Sequence, residues 1–293
     1  MTDPHYLTLV NPQNGNLAFK VNDFDRGTFD QVHRFNYYSI VWLKEGKALL
    51  RSDFNQYQIT GGTMMFFTPY QPFVIDGEEE IKGVVISFHP DFFCIYQHEK
   101  EVSCNGILFN NIYKPPFIII DEAAATEFSY LLEQIKEEMK QAVPSQYELL
   151  VSYLKIFIIK AVRIKSSQNP ELAKLAADQK EPFVLQVLKE QIEKNFNKAH
   201  QPAFYASLLN ITPKALGRIT KQYFNKTLTS LISERIIIEA KRDLYLTSKP
   251  VKTIAYNLGF DDEFYFSRYF KNHTDVSPQL YRDTVGVGVA EKK

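Results

Sequence analysis

The last third of the chain contains an internal near-duplication with a period of 49 to 50 residues. No other feature limits the fold so strongly, because one supersecondary unit has to be built twice by the same packing rules. In the first copy YASLLNIT (205–212) precedes PKALGRITKQYFN (213–225); in the second IAYNLGFD (254–261) precedes DEFYFSRYFKNHTD (262–275). Each reads as a short helix, a tight turn and a longer helix. Ala206 or Ala255 permits close helix approach, Leu209 or Leu258 closes the short helix onto a core, and Ile211 or Phe260 plugs the turn. Thr212 and Asp261 are expected to accept from the free N–H groups of the next helix, and Pro213 suits a first helical position. This is helix-turn-helix grammar.

On the longer helices Leu216 or Phe266 falls inward, while Arg218 or Arg268 and Lys221 or Lys271 share an outward face three residues apart. Asn225 and Asp275 close them, residues that tolerate the left-handed backbone. A helix divided in this way can enter a major groove about 12 Å wide, where Arg pairs with guanine or with phosphate. Between the copies, LTSLISERIIIEAKRDLYLT (228–247) would hold the two readers roughly 30 Å apart at about 1.5 Å per residue. One turn of DNA is about 34 Å. The expected partner is therefore double-stranded DNA, met in two adjacent major grooves from one side.

Charge supports this placement. The chain as a whole is neutral, but residues 183–293 hold 17 Lys and Arg against 11 Asp and Glu, and residues 1–182 hold 17 against 23. Only the C-terminal part suits phosphates.

The remainder separates by hydrophobic period. Short β-branched and aromatic runs, YYSIVWL (37–43), KALLRSDFNQYQI (47–59), TMMFFT (63–68), IKGVVISF (81–88) and PFIII (116–120), alternate with turn signals at Glu45-Gly46, Gly61-Gly62, Pro69 and Asp76-Gly77. These predict an antiparallel β barrel or sandwich. Helical period follows, with Phe128, Leu131, Leu132, Ile135 and Met139 on one face, then Leu149, Leu150, Tyr153, Leu154, Phe157 and Ile158 after Pro144. A first helix from Phe183 carries Val184, Val187, Leu188, Ile192 and Phe196, and six further helical pieces follow. The expected organisation is multidomain: residues 1–166, with strands over about 17–120 and helices over about 122–142 and 145–165; a partly helical linker at 167–182; an all-α domain at 183–284 with two helix-turn-helix units; and a tail at 285–293.

Residues 183–284 resemble the C-terminal DNA-binding domain of the AraC/XylS-type bacterial transcription regulators. PVKTIAYNLGFDDEFYFSRYFKNHTDVSPQLYR (250–282) carries the resemblance nearly end to end, including the closing SP-x-x-YR. Three departures stand out: Thr220 replaces a large apolar residue, and Asn225 and Asp275 replace glycines at the ends of the reading helices. The resemblance implies DNA contacts at Lys214, Gly217, Arg218, Lys221 and Gln222 in the first reading helix and at Glu263, Phe264, Ser267, Arg268 and Lys271 in the second. Gly217 offers no side chain, so its contact would be indirect. It also implies a cupin-like sensing and dimerisation region in the N-terminal half, and hence a homodimer, a small-molecule effector and RNA polymerase as partners.

Metal-binding cupins need clustered His and Glu, and only His33 lies near the expected strand, followed by Arg34, Phe35 and Asn36. A second candidate set is His89, Cys94, His98 and Cys104. Its spacing lacks a Cys-x2-Cys knuckle, and isolated cysteines are usually small buried hydrophobes. The reading is no metal and no cofactor. For an effector pocket the candidates are Tyr37, Trp42, Phe67 and Tyr70, with Tyr38 and Phe73 beside them; the alternative is that these residues are packed core. The two helices before the linker either pair with a second subunit or pack on their own barrel. No Ser-His-Asp set or phosphate-cradling glycine loop is visible, so the chain reads as a non-enzyme. No apolar run approaches the roughly 20 residues of a membrane span. MTDPHYLTLV lacks the layout of a secretion signal, and two cysteines suggest no disulfide framework. The expected location is the cytoplasm.

Overall fold

The continuous apolar runs of the first half are strands buried on both faces. The computed structural model describes residues 7–11, 15, 17–52, 55–77, 79–95, 98, 107–141, 143–175 and 183–285, with backbone alone over 169–175. It separates into two units, Met1–Asn111 with Pro116–Asn169, and Ile112–Pro115 with Pro170–Lys293. The first unit holds strands β1 (Leu7–Val10), β2 (Leu17–Asp25), β3 (Tyr38–Glu45), β4 (Lys47–Ser52), β5 (Asn55–Thr60), β6 (Thr63–Phe67), β7 (Phe73–Gly77), β8 (Lys82–Phe88) and β9 (Phe117–Ile119). They form a six-stranded sheet of order β1-β2-β8-β3-β6-β9 and a three-stranded sheet of order β5-β4-β7, antiparallel throughout.

Strand alternation sends one set of side chains to each face of the large sheet. Ile40 and Trp42 of β3, Met64 and Phe66 of β6, and Val84 and Ile86 of β8 join a core with Phe128, Leu132 and Ile135 of helix α1 (Glu122–Met139) and Leu150, Leu154 and Phe157 of helix α2 (Gln146–Leu175). Val41, Leu43, Met65, Phe67 and Val85 join a second core with Leu50 and Ile75 of the small sheet. With helices on one side and a sheet on the other, neither face can be polar, which explains why these strands lack polar alternation. Asp121 caps α1 by accepting from the Ala124 N–H at 2.8 Å.

The structure adds three strands to the runs read from the sequence and divides one run in two. Strand β1 lies before residue 17, β2 covers Leu17–Asp25, Asp76 and Gly77 end β7 rather than forming a turn, and the run at 47–59 holds both β4 and β5. Leu149 and Tyr153, expected on the inward stripe of α2, are exposed and half-buried instead. Helix α2 continues to Leu175, past the expected break at 166, and residues 176–182 of the expected linker lie outside the described residues.

The second unit is helical: α3 (Phe183–Asn195), α4 (Pro202–Leu208), α5 (Pro213–Phe224), α6 (Leu228–Leu246), α7 (Val251–Asn257), α8 (Glu263–Thr274) and α9 (Pro278–Val285). Its central helix α6 buries ten side chains along its whole length, among them Leu231, Ile236, Ala240 and Leu244. In α3 the buried positions are Leu185, Leu188 and Ile192, while the expected Val184 and Val187 are half-buried.

Candidate nucleic-acid interface

Both turns of the duplication are built the same way. The short helices α4 and α7 end in a left-handed residue, Asn210 (φ 54°) and Gly259 (φ 81°). The next residue then donates back five positions, Ile211 N–H to Ala206 O at 3.1 Å and Phe260 N–H to Ala255 O at 3.0 Å. Gly259 is required for space as well as for conformation, since a Cβ there would sit 2.6 Å from the Asn197 carbonyl oxygen. The neighbouring Leu258 carbonyl is held by His200 Nε2 at 2.8 Å.

The reading helices start on side-chain caps. Thr212 accepts from the Ala215 N–H at 3.2 Å, as expected. In the second copy the cap is Asp262 and not Asp261: its carboxylate accepts from Phe264 at 3.1 Å and from Tyr265 at 2.8 Å. The second turn is one residue longer, and so the period drifts from 49 to 50 across it. Asn225 and Asp275 close α5 and α8 with φ 54° and 63°, the left-handed closure expected of them. Lys221 Nζ additionally donates to the Asn225 carbonyl at 3.1 Å.

Burial then divides each helix. Leu216 and Thr220 of α5, and Phe266, Phe270 and Thr274 of α8, face inward. Lys214, Arg218, Lys221 and Gln222 are exposed on one face of α5, and Phe264, Arg268 and Lys271 on the matching face of α8. Phe264 is 73 % exposed, an apolar ring held in solvent at the start of a reading helix. Glu263 and Ser267 are half-buried. Sequence reasoning passed over Tyr265 and Asn272, both exposed beside this face; the repeat itself carried the signal, because Asn272 stands 50 residues after Gln222. Burial pushes the Tyr269 phenol up to about 12, so the ring between the exposed residues and the core stays uncharged.

The two units have unequal cores. At the same register Thr220 stands where the second copy has Phe270. The Thr220 hydroxyl is fully buried and donates to the Gly217 carbonyl at 3.1 Å. In the second unit Phe260 packs on Phe266 at 5.2 Å, and Phe270 on Tyr281 of α9 at 5.7 Å. The next residue, Arg282, donates to the Leu244 carbonyl at 3.3 Å and the Lys249 carbonyl at 2.6 Å, tying the closing helix to the end of α6. Leu209 and Ile211 of the first copy are half-buried, whereas Leu258 and Phe260 are buried.

In the sheet unit, Trp42 is set apart from the other three effector candidates: Tyr37 and Phe67 are linked through the rings of Phe35 and Phe73, and the Tyr70 N–H donates to the Phe35 carbonyl at 2.7 Å. Trp42 and Phe67 are buried on opposite faces of the large sheet, Trp42 against Phe128 of α1 at 6.3 Å and Phe67 stacked on Phe73 at 4.0 Å. Tyr37 stacks on Phe35 at 4.8 Å, and Tyr70 is half-buried at φ 58°. His33 sits among the rings of Phe29, Phe35 and Phe73. His98 lies over Phe93 at 4.7 Å, Cys94 is buried, and Cys104 lies outside the described residues. Among the described residues no group of three or more His, Cys, Asp or Glu converges as a metal site, and no helix is long and apolar enough to cross a membrane.

Comparison with known proteins gives two family matches in chain order: an AraC-like ligand binding domain over residues 14–155 and a helix-turn-helix domain over residues 205–284. The arabinose operon regulatory protein of Escherichia coli is 36% identical over 72 residues, 25% of this chain and 25% of that protein. The match thus spans about a quarter of that relative's length. The transcriptional activator RhaS of Citrobacter koseri is 22% identical over 258 residues, 85% of this chain and 86% of RhaS. Among solved structures, ToxT of Vibrio cholerae aligns over 92% of this chain and 98% of its own, with 16% identity and a TM-score of 0.40. With the ligand-binding model followed by the helix-turn-helix model, and together covering most of its length, the chain belongs to the AraC family of helix-turn-helix regulators.

Proposed function

We propose that this chain is a sequence-specific DNA-binding transcription regulator that inserts α5 and α8 into two adjacent major grooves of one duplex. One observation carries the reading: the outward faces of the two helices correspond at an offset of 50, Lys214 with Phe264, Arg218 with Arg268, Lys221 with Lys271 and Gln222 with Asn272, and all are exposed. Arg at the middle of each face suits bidentate pairing with guanine, and Phe264 suits the thymine methyl. Glu263 and Ser267 complete the contact set at the start of α8. The protein acts in the cytoplasm, where its DNA is, as a non-enzyme without cofactor, and passes its output to RNA polymerase.

The test uses an operator selected from random duplexes by the full chain. Arg218→Ala and Arg268→Ala should each lower operator affinity by about 1–3 kcal/mol, roughly 5- to 150-fold, while the far-ultraviolet circular dichroism stays that of the parent. Unchanged affinity in both variants would overturn the assignment. A Lys221→Ala change, at a phosphate contact, should instead weaken all duplexes alike and reduce the slope of log affinity against log salt by about one.

A specific observation also favours a homodimer through α2. Leu149 and Ile156 lie at i and i+7 on its outward side, 40% and 41% exposed, with Tyr153 half-buried between them against the core. An apolar stripe at this spacing is the seam of a helix pair. Placing Glu at both Leu149 and Ile156 should convert the protein from dimer to monomer in sedimentation equilibrium; a parent protein that is already monomeric would sink the reading.

A further inference from the structure

One glycine stands inside a helix where the fold gives it no reason to be. Residues 183–285 contain two glycines: Gly259 follows α7, where a Cβ would strike the Asn197 carbonyl, and Gly217 lies in the middle of α5. Among the described residues, a Cβ built at Gly217 has no packing neighbour within 4 Å, and the backbone there is helical, so alanine fits without strain. Glycine in a helix interior also costs stability relative to alanine, because it gives up more freedom on folding. The missing Cβ therefore serves no packing inside the helical unit.

Its position borders the reading face. Lys214 and Lys221, one turn before and one turn after, are exposed, as is the adjacent Arg218. The Lys221 head is drawn to the Asn225 carbonyl at 3.1 Å, towards the far end of the helix and away from Gly217. What is left at 217 is a notch one methyl group deep, floored by the glycine Cα. A second departure accompanies it. The Thr220 hydroxyl donates to the Gly217 carbonyl at 3.1 Å, which pins the backbone where a glycine would otherwise loosen it. In the second unit the corresponding residues are Ser267 and Phe270, so the notch and its pin occur together in α5 and are both absent from α8.

The notch has shape but little polarity. The Gly217 N–H and carbonyl belong to the helix ladder, and the carbonyl is held by Thr220 as well. A donor or acceptor on a base edge gains nothing from such a hole. The major groove presents one projecting apolar group, the C5 methyl of thymine, and its size is that of the absent Cβ.

We propose that α5 reads a thymine with the notch at Gly217, the helix backbone seated against the C5 methyl. The inference rests on the insertion of α5 into a major groove. It makes Gly217 a specificity-determining residue although it has no side chain, and it brings α5 closer to the base edges than a helix with a side chain at that position could lie.

The experiment uses the full chain and the operator it selects from random duplexes. Each thymine of that operator is replaced in turn by deoxyuridine, which removes the methyl and nothing else. One replacement should weaken binding by the parent at least about threefold, the worth of one buried methyl. Gly217→Ala should weaken the thymine operator at least about fivefold. The same variant should bind that deoxyuridine form at least as tightly as the thymine form, because its added methyl fills the vacated space. Its melting temperature should equal or exceed the parent's, since alanine favours the helix. A lower melting temperature, operator affinity equal to the parent's, or a deoxyuridine scan that is flat in the parent would overturn the proposal. Arg218→Ala separates the readings: a loss there with Gly217→Ala unchanged removes this inference alone, whereas a parent protein that selects no operator removes the regulator reading.

Discussion

Lys226→Ala is expected to destabilise the helical unit by about 3–5 kcal/mol, the cost of leaving one member of a buried ion pair without its partner. Lys226 follows the closing residue of α5, and its Nζ lies 2.6 Å from Glu234 of α6; the two side chains are 7% and 14% exposed. Removing Lys226 takes from Glu234 its ion-pair partner in a site that water barely reaches. Replacing both, Lys226→Met with Glu234→Leu, should recover most of the loss, because an apolar pair of similar volume carries no desolvation penalty. Urea unfolding followed by circular dichroism gives the comparison. A single variant within about 1 kcal/mol of the parent would show that the pair is screened like a surface bridge and contradict the burial argument.

Phe270→Ala should cost about 3–5 kcal/mol, since it empties a fully buried ring site at the join of α8 and α9. At the equivalent position of the first unit the outcome should differ. Thr220→Val removes only a hydroxyl whose acceptor is a carbonyl of its own helix, and should change stability by less than about 1 kcal/mol. Footprinting should follow the same asymmetry, with Phe270→Ala losing protection of one half of the operator before the other. Equal costs at the two positions would mean that the units have equivalent cores after all.

Much of this was legible in the sequence, for reasons that can be assigned to particular residues. The duplication gave the readers because inward Leu216 and Phe266 and outward Arg218 and Arg268 obey the same helical period. Strands β3, β6 and β8 were legible as apolar runs, but a run buried on both faces does not say which side chain meets which layer. For that reason Trp42 and Phe67 looked like neighbours in one pocket and are separated by a sheet. Strand β7 was hidden because Asp76-Gly77 is a strong turn signal that the ladder to β4 overrides. The cap at Asp262 was displaced by one residue because two aspartates adjoin and only the turn length decides between them.

Helix α6 is 19 residues long, buried along its length, and capped by Thr227 accepting from the Ser230 N–H at 3.0 Å. It behaves as a strut of about 28 Å that neither stretches nor twists appreciably. The operator consequently has a phase as well as a sequence. Inserting about five base pairs between the two boxes turns the second one to the far side of the duplex, since the helical repeat is about 10.5 base pairs. Binding by the pair of readers should then collapse to that of a single one, although every base they recognise is still present.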